Sequence, residues 1–294
     1  MNPPLQFSAS SLQDYVDCPR RFQLRHVWRL DWPAAGSEPL AEHERHGRLG
    51  RELHRLIHQH LLGVPEERLS ATVRDPQLAR WWRSYLAYAP TLEDVQVVPE
   101  LGLSTAIAGH RLYAQYDALL ILRDDASQAT QFVILDWKTY RQRPKHTWLA
   151  ARLQTRVYPL VLVQAGTPFN HGQPVRPECV ELRYWLAEHP EAPVSFKYNQ
   201  TSYKLDITYI SDLVEQIVYR IEREGQGGEE ASVWPLTDDW RRCSICTFRS
   251  LCRRGTVAGP ATQDVEDYTA DDETTISGAG DGPEWAQVVE LAVS

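Results

Sequence analysis

Three side chains of this sequence are suited to chemistry on a phosphate: Asp117, Asp136 and Lys138. Asp136 and Lys138 end the run Gln131-Phe132-Val133-Ile134-Leu135-Asp136-Trp137-Lys138-Thr139, which reads as a strand. Side chains two apart on a strand share a face, so Asp136 and Lys138 project together and Trp137 projects oppositely. A carboxylate and an ammonium at the end of a buried strand lose hydration, a strong penalty unless the charges are paired or used. Asp117 sits between Arg111-Leu112-Tyr113-Ala114-Gln115-Tyr116 and Ala118-Leu119-Leu120-Ile121-Leu122, a second strand-like segment. Two acids and a lysine can hold a hard divalent cation and orient a water, the equipment for cutting a phosphodiester. Taken alone, Asp-x-Lys is equally the pattern of a surface ion pair.

The elements that must position these groups are visible in the periodicity. Ser10 followed by Gln13 resembles a capping box opening a helix near residues 10–28. Leu49, Leu53, Leu56, Ile57 and Leu61 recur at helical spacing, predicting a helix over 41–62. A third helix is expected over 76–88, with Trp81, Trp82 and Tyr85. Residues 95–104, 109–122 and 131–139 then read as a β-meander, with turn signals at Gly109 and Asp124-Asp125. A helix over 148–165, strands over 178–187 and 193–207, a helix over 209–223 and a Gly/Glu linker at 225–230 complete the order. No internal repeat is visible. Helices, three strands, a helix, two strands and a helix predict an α/β fold with a mixed central sheet flanked by helices.

Further residues can join the triad. His54 lies on the apolar stripe of its helix, where a polar ring needs a partner; it reads as a satisfied core histidine or, given the downstream acids, a metal ligand. Glu100 is an exposed edge carboxylate or a further acid of the site. Gln154 and Tyr158, four apart, share one helix face, although Pro159 can kink that helix. This ordered set, His54, Asp117, Asp136-Trp137-Lys138, Gln154 and Tyr158, resembles the PD-(D/E)XK nuclease superfamily in its RecB-like branch. The opening Phe7-Ser8-Ala9-Ser10-Ser11-Leu12 and Cys18-Pro19-Arg20-Arg21-Phe22 are also typical of that branch. The resemblance implies a restriction-endonuclease-like core in a single domain over residues 1–254. Within it lie a helical N-terminal part at about 8–90, a nuclease core at about 95–224 and a cysteine segment at 240–254. It also implies that His54, Asp117 and Asp136 ligate Mg2+ or Mn2+, that Lys138 steadies the attacking hydroxide or the transition state, and that Gln154 and Tyr158 support the site.

Of five cysteines, Cys243, Cys246 and Cys252 form C-x2-C-x5-C, and Cys18 stands over two hundred residues away. An odd count without a secretory leader argues against a disulfide framework. Four thiolates suit Zn2+ or a [4Fe–4S] cluster. The split of one early and three late cysteines resembles the iron–sulphur nucleases of the AddB and CRISPR-associated exonuclease type, which implies a [4Fe–4S] cluster stapling the termini. Cys179 reads as a buried thiol in a strand.

The net charge of −8 is unevenly placed. Residues 255–294 carry nine acids and no Lys or Arg, leaving the preceding 254 residues at +1; the tail reads as a disordered, solubilising or partner-binding segment. The loop after Lys138 carries Arg141, Arg143 and Lys145, placed for phosphates, or simply a solvated basic face. Arg241, Arg242, Arg249, Arg253 and Arg254 surround the late cysteines, with Trp240 and Phe248 interleaved for stacking on unpaired bases. No base-reading motif is evident, so sequence-independent binding of single-stranded or end-containing DNA by an exonuclease is expected. No run of about 18 apolar residues and no leader are seen, so a cytoplasmic protein is expected. The rival readings are a non-catalytic DNA-binding scaffold on the same fold, or the nuclease subunit of a helicase–nuclease repair complex. No Gly-Lys-Ser/Thr phosphate loop is present, so any motor would be a separate protein.

Overall fold

The apolar runs form a six-stranded mixed sheet with helices on both faces. The computed structural model describes residues 4–30, 38–92, 95–123, 129–226, 233–244 and 246–255. The acidic tail from 256 onward and the Asp124-Asp125 turn lie outside them. In chain order the elements are β1 (Gln6–Ser8), α1 (Ala9–Asp17), α2 (Pro19–Phe22), α3 (Glu38–Leu61), α4 (Glu66–Ser70) and α5 (Pro76–Tyr88). They continue with β2 (Gln96–Ile107), β3 (His110–Arg123), β4 (Ala129–Lys138), α6 (His146–Ala151) and α7 (Leu153–Ala165). Last come β5 (Val180–Leu186), β6 (Val194–Lys197) and α8 (Gln200–Gly225).

Several expected boundaries are corrected. The helix predicted over 10–28 starts at Ala9, capped by Ser8 in a capping box with Ser11 rather than by Ser10 with Gln13. It then breaks at Cys18 (φ −163°, ψ 106°), because a residue preceding proline is pushed out of the helical region and Pro19 starts the next turn. A single π-helical turn at Gln23–Val27 follows α2. The helix predicted over 148–165 is interrupted at Arg152. The strand predicted over 193–207 ends at Lys197; shortly after it the Asn199 side chain accepts the Ser202 N–H and opens α8 at Gln200, well before the expected 209. Cys179 is half-buried in a 3-10 turn before β5, not buried in a strand. Three residues of the N-terminal part also join the sheet as β1, parallel to β3.

β2 runs antiparallel along one whole edge of β3. The other edge is shared: β1 lies beside Arg111–Tyr113, and β4 lies antiparallel beside Ala118–Arg123. β4 pairs in parallel with β5, and β5 antiparallel with β6. Apolar side chains from the two faces form separate cores, one under α1, α7 and α8, the other under α3 and α5 with Trp81, Trp137 and Trp185. The alternation between these cores slips at one level. Leu112, Ala114 and Tyr116 of β3 enter the first core, whereas Ala118 and Leu120 enter the second. In β2, Leu101 and Leu103 face the first core and Val97 the second. One residue of each strand is therefore turned out of the pattern, and the two are neighbours: Glu100, at φ +48°, and Asp117.

Candidate active site

The site lies where β3 and β4 part. Their pairing runs from Arg123 and Ala129 to Ala118 and Leu135, while β4 continues beside β5 as far as Lys138. The Trp137 N–H, which would otherwise bond β3, is accepted by Asp117 Oδ2 at 2.7 Å. Asp136 and Lys138 project together as the strand period requires, and Lys138 Nζ lies 3.0 Å from Asp136 Oδ2. Relative exposures of 6% for Asp117, 2% for Asp136 and 4% for Lys138 mark this as a buried charge constellation rather than a surface ion pair. The Lys138 ammonium also sits 5.9 Å from the centre of the Tyr184 ring.

α3 closes the site from above along one stripe. His46 Nε2 meets the Thr139 carbonyl at 2.8 Å. Gly50, one turn on, lets the helix backbone approach Thr139, whose Oγ1 would be 3.2 Å from a Cβ at that position. His54, another turn on, engages Asp117 Oδ1 through Nδ1 at 3.2 Å and the Trp137 carbonyl through Nε2 at 2.8 Å. Burial opposes a charge on this ring, but the Asp117 carboxylate outweighs it and pushes the His54 pKa up to about 9. Burial would raise the Asp117 pKa; His54 and the Trp137 N–H together hold it below the usual carboxylate range.

α7 closes the site from the other side. Gln154 Nε2 donates to Asp136 Oδ1 at 2.7 Å. Tyr158 lies one turn on, paired with Gln154, and burial together with Asp136 pushes its phenol well above the ordinary range. Tyr116 OH anchors this turn by donating to the Tyr158 carbonyl at 2.9 Å. The helix runs through Pro159, so Gln154 and Tyr158 keep a common face. Glu100 is half-buried rather than an exposed edge residue, with Gln115 Nε2 donating to its Oε2 at 3.0 Å. Burial, and then the Asp117 charge, push its pKa up to about 7. The sequence signal for Glu100 is the slip in alternation, a three-residue step from Val98 to Leu101 matched by Tyr116 to Leu119.

Among the described residues, no three His, Cys, Asp or Glu side chains close into a ready metal shell. The donors nevertheless suit a hard divalent cation. Asp117 and Asp136 are buried oxygen donors and Glu100 is half-buried beside Asp117; burial and the Asp117 charge raise the Glu100 pKa, and a cation would offset both.

A second cluster lies at the other end of α1. Cys18, Cys243, Cys246 and Cys252 line one cavity with Arg21, Arg242 and Arg249. The thiols are unpaired, and burial pushes Cys246 up to about 11. Four sulfurs ringed by guanidinium groups fit a thiolate-bound centre of net negative charge. Arg141, Arg143 and Lys145 stand exposed after Lys138, Arg141 being 3.2 Å from Glu42. Trp240 is exposed with the Arg254 guanidinium 4.1 Å from its ring, whereas Phe248 is buried and out of reach of a base. No helix among the described residues is long and apolar enough to cross a membrane.

No curated protein matches the chain. Among solved structures it resembles SSO0001 at 13% identity, with 86% of this chain and 88% of that chain covered and a TM-score of 0.40. It also resembles a protein of Eubacterium rectale carrying the provisional name exonuclease, at 10% identity, with 86% and 88% covered and a TM-score of 0.45. The family model of the PD-(D/E)XK nuclease superfamily matches residues 6–253, and with that span the chain belongs to this superfamily.

Proposed function

We propose that this protein is a divalent-cation-dependent deoxyribonuclease, an exonuclease acting on single-stranded or frayed DNA without reading its sequence. The observation that carries the reading is the convergence of Asp117, Asp136, Lys138 and His54 on one buried pocket where β3 and β4 part. Asp117 and Asp136 would hold Mg2+ or Mn2+, with Glu100 as an added oxygen donor; His54, whose Nε2 donates to the Trp137 carbonyl, would join them through Nδ1 by giving up the proton it shares with Asp117. Bound there, the cation supplies charge for the non-bridging phosphate oxygens and lowers the pKa of a water. Lys138 brings a fixed positive charge to the same phosphate and orients the attacking water. Gln154 holds Asp136 through Oδ1, and Tyr158, kept protonated, serves as a hydrogen-bond donor. Arg141, Arg143 and Lys145 take backbone phosphates of the incoming strand, which positions DNA without specifying bases.

The residues from 1 to 254 act as one nuclease domain in this reading, and Cys18, Cys243, Cys246 and Cys252 hold a [4Fe–4S] cluster of structural role. The common cavity supports the second point, and the guanidinium ring offsets the charge of four thiolates. The decisive assay incubates purified protein with end-labelled single- and double-stranded DNA in Mg2+, Mn2+ or EDTA. Cleavage in either cation and none in EDTA is expected. Asp136→Ala and Lys138→Ala should lose roughly 10^2-fold or more of the rate while keeping the circular dichroism of the native fold. Undiminished cleavage by Asp136→Ala refutes the assignment. Iron and sulfide analysis of the same preparation tests the cluster; a colourless protein containing zinc would replace it.

A further inference from the structure

α7 begins without a cap of its own. Arg152, flanking it, makes no side-chain bond to the first turn, and a helix N-terminus leaves N–H groups unsatisfied. The Leu153 N–H is met instead from α1, by Gln13 Oε1 at 3.0 Å. The same amide donates from Nε2 to Asp17 Oδ1 at 2.8 Å. Both contacts demand the same amide orientation, and only a residue that accepts at one atom and donates at the other meets both. Asp17 is buried and bonded in turn by Arg21 Nη2 at 3.0 Å and by Arg242 Nη1. Arg21 and Arg242 line the cysteine cavity. At the far end of the path, Gln154 immediately follows Leu153 and donates to Asp136 at 2.7 Å. Buried polar contacts thus run from the cysteine cavity through Asp17 and Gln13 to the start of α7, and from there to Asp136.

We propose that Gln13 is a positioning residue, through which the cysteine lobe fixes the first turn of α7 and so holds Gln154 and Asp136 in place for cation binding and cleavage. This rests on the nuclease reading above. Without the Gln13 contact the first turn of α7 is free to fray. Gln154 then loses its aim, and Asp136 keeps Lys138 but not its second support. A residue that merely filled space between α1 and α7 would affect folding alone.

The test is a double-mutant cycle of Gln13→Met with Gln154→Ala in the full chain, the methionine being of similar length but unable to make either bond. Mn2+ affinity by calorimetry and kcat and KM on single-stranded DNA are measured for each protein. Gln13→Met is expected to weaken Mn2+ binding and lower kcat by roughly 10- to 100-fold, with KM for DNA little changed. In the Gln154→Ala background the same change is expected to do nothing more. Effects that multiply, or a Gln13→Met protein that behaves as wild type, overturn the inference. If Gln13→Met does not fold, the cycle is run with Gln13→Glu, which keeps the acceptor for Leu153 and sets a like charge against Asp17; additivity again overturns it. A wild type that cleaves but shows additive changes sinks this inference alone. A wild type that neither cleaves nor binds Mn2+ sinks the nuclease reading and this inference together.

Discussion

Glu100 occupies a left-handed backbone at φ +48°, a conformation that costs a residue with a Cβ about 1 kcal/mol or more. It does so beside Asp117, whose negative charge opposes its own. A side chain kept against both penalties is expected to contribute to the site rather than to the fold. Glu100→Gly removes the strain and the repulsion at once. Its urea midpoint should rise by the equivalent of about 1 kcal/mol at unchanged m-value, while cleavage falls roughly 10-fold. A stabilised variant with full cleavage would leave the carboxylate without a role in the reaction. Asp117 shows the related device without strain: its Oδ2 takes the place of a backbone carbonyl for the Trp137 N–H, so the strands can part without leaving a buried donor unpaired.

The elements carry these residues through close approaches. Gly50 lies between His46 and His54 on the α3 stripe, and its missing side chain is what permits the approach to Thr139. Gly50→Leu should cost roughly 1–3 kcal/mol by overpacking and lower cleavage further, because α3 must lift His54 away from Asp117. Gly50→Ala, whose Cβ meets a movable hydroxyl and whose helix propensity improves by about 1 kcal/mol, should remain close to wild type in thermal unfolding. Preserved cleavage in Gly50→Leu would show that the α3 stripe does not set the site. Much of this layer was legible in the chain. The period of two placed Asp136 with Lys138, and the 3.6 period placed His54, Gln154 and Tyr158 on the faces where they are found. The start of α8 was also written in the sequence, since Asn199 three residues before Ser202 is a cap, but the alternation of Phe196 and Tyr198 suggests a strand running on. Pro19 likewise signals the break at Cys18. The slip at Glu100 and Asp117 left only a faint signal, the three-residue step from Val98 to Leu101, because on β3 the run Ala118 to Leu122 that follows Asp117 fills both faces and its alternation carries no phase. Gln13 is misread as half of a capping box, because its actual partner is a helix 140 residues away.

Across the whole molecule, residues 4–30 are held to the last described ones by the Asp17–Arg242 pair and the shared cysteine cavity, and are knitted internally around Asp14. Asp14 is bonded by Arg21, Arg25 and His26 at 2.7, 3.0 and 2.8 Å. Burial would raise its pKa, but these partners outweigh burial and hold it well below the usual carboxylate range. A folded-state pKa below the unfolded one stabilises fully above about pH 4, and the contribution is lost as acid protonates Asp14. Asp14→Asn should therefore lose about 3–5 kcal/mol at neutral pH and show a flatter acid-side decline in urea midpoint than wild type; parallel declines would assign the acid sensitivity elsewhere. A second tie is Glu224, whose carboxylate accepts Gln23 Nε2 at 2.6 Å, Trp28 Nε1 at 2.8 Å and Trp234 Nε1 at 3.0 Å. A metal centre joining Cys18 to Cys243 would close a loop of most of the chain, worth about 4–5 kcal/mol in a chain-entropy account. Two independent ties make the termini redundant in their docking. If the cysteines hold the proposed [4Fe–4S] cluster, Cys246→Ser is expected to lose its brown colour and unfold at lower temperature, yet keep residues 4–30 protected from trypsin, because Glu224 and the Asp17–Arg242 pair remain. Glu224→Ala should keep the colour and the protection. Only the double variant should release the N-terminal segment to rapid cleavage; its release by Cys246→Ser alone would mean that the cysteines are the single clasp and that the polar contacts merely follow them.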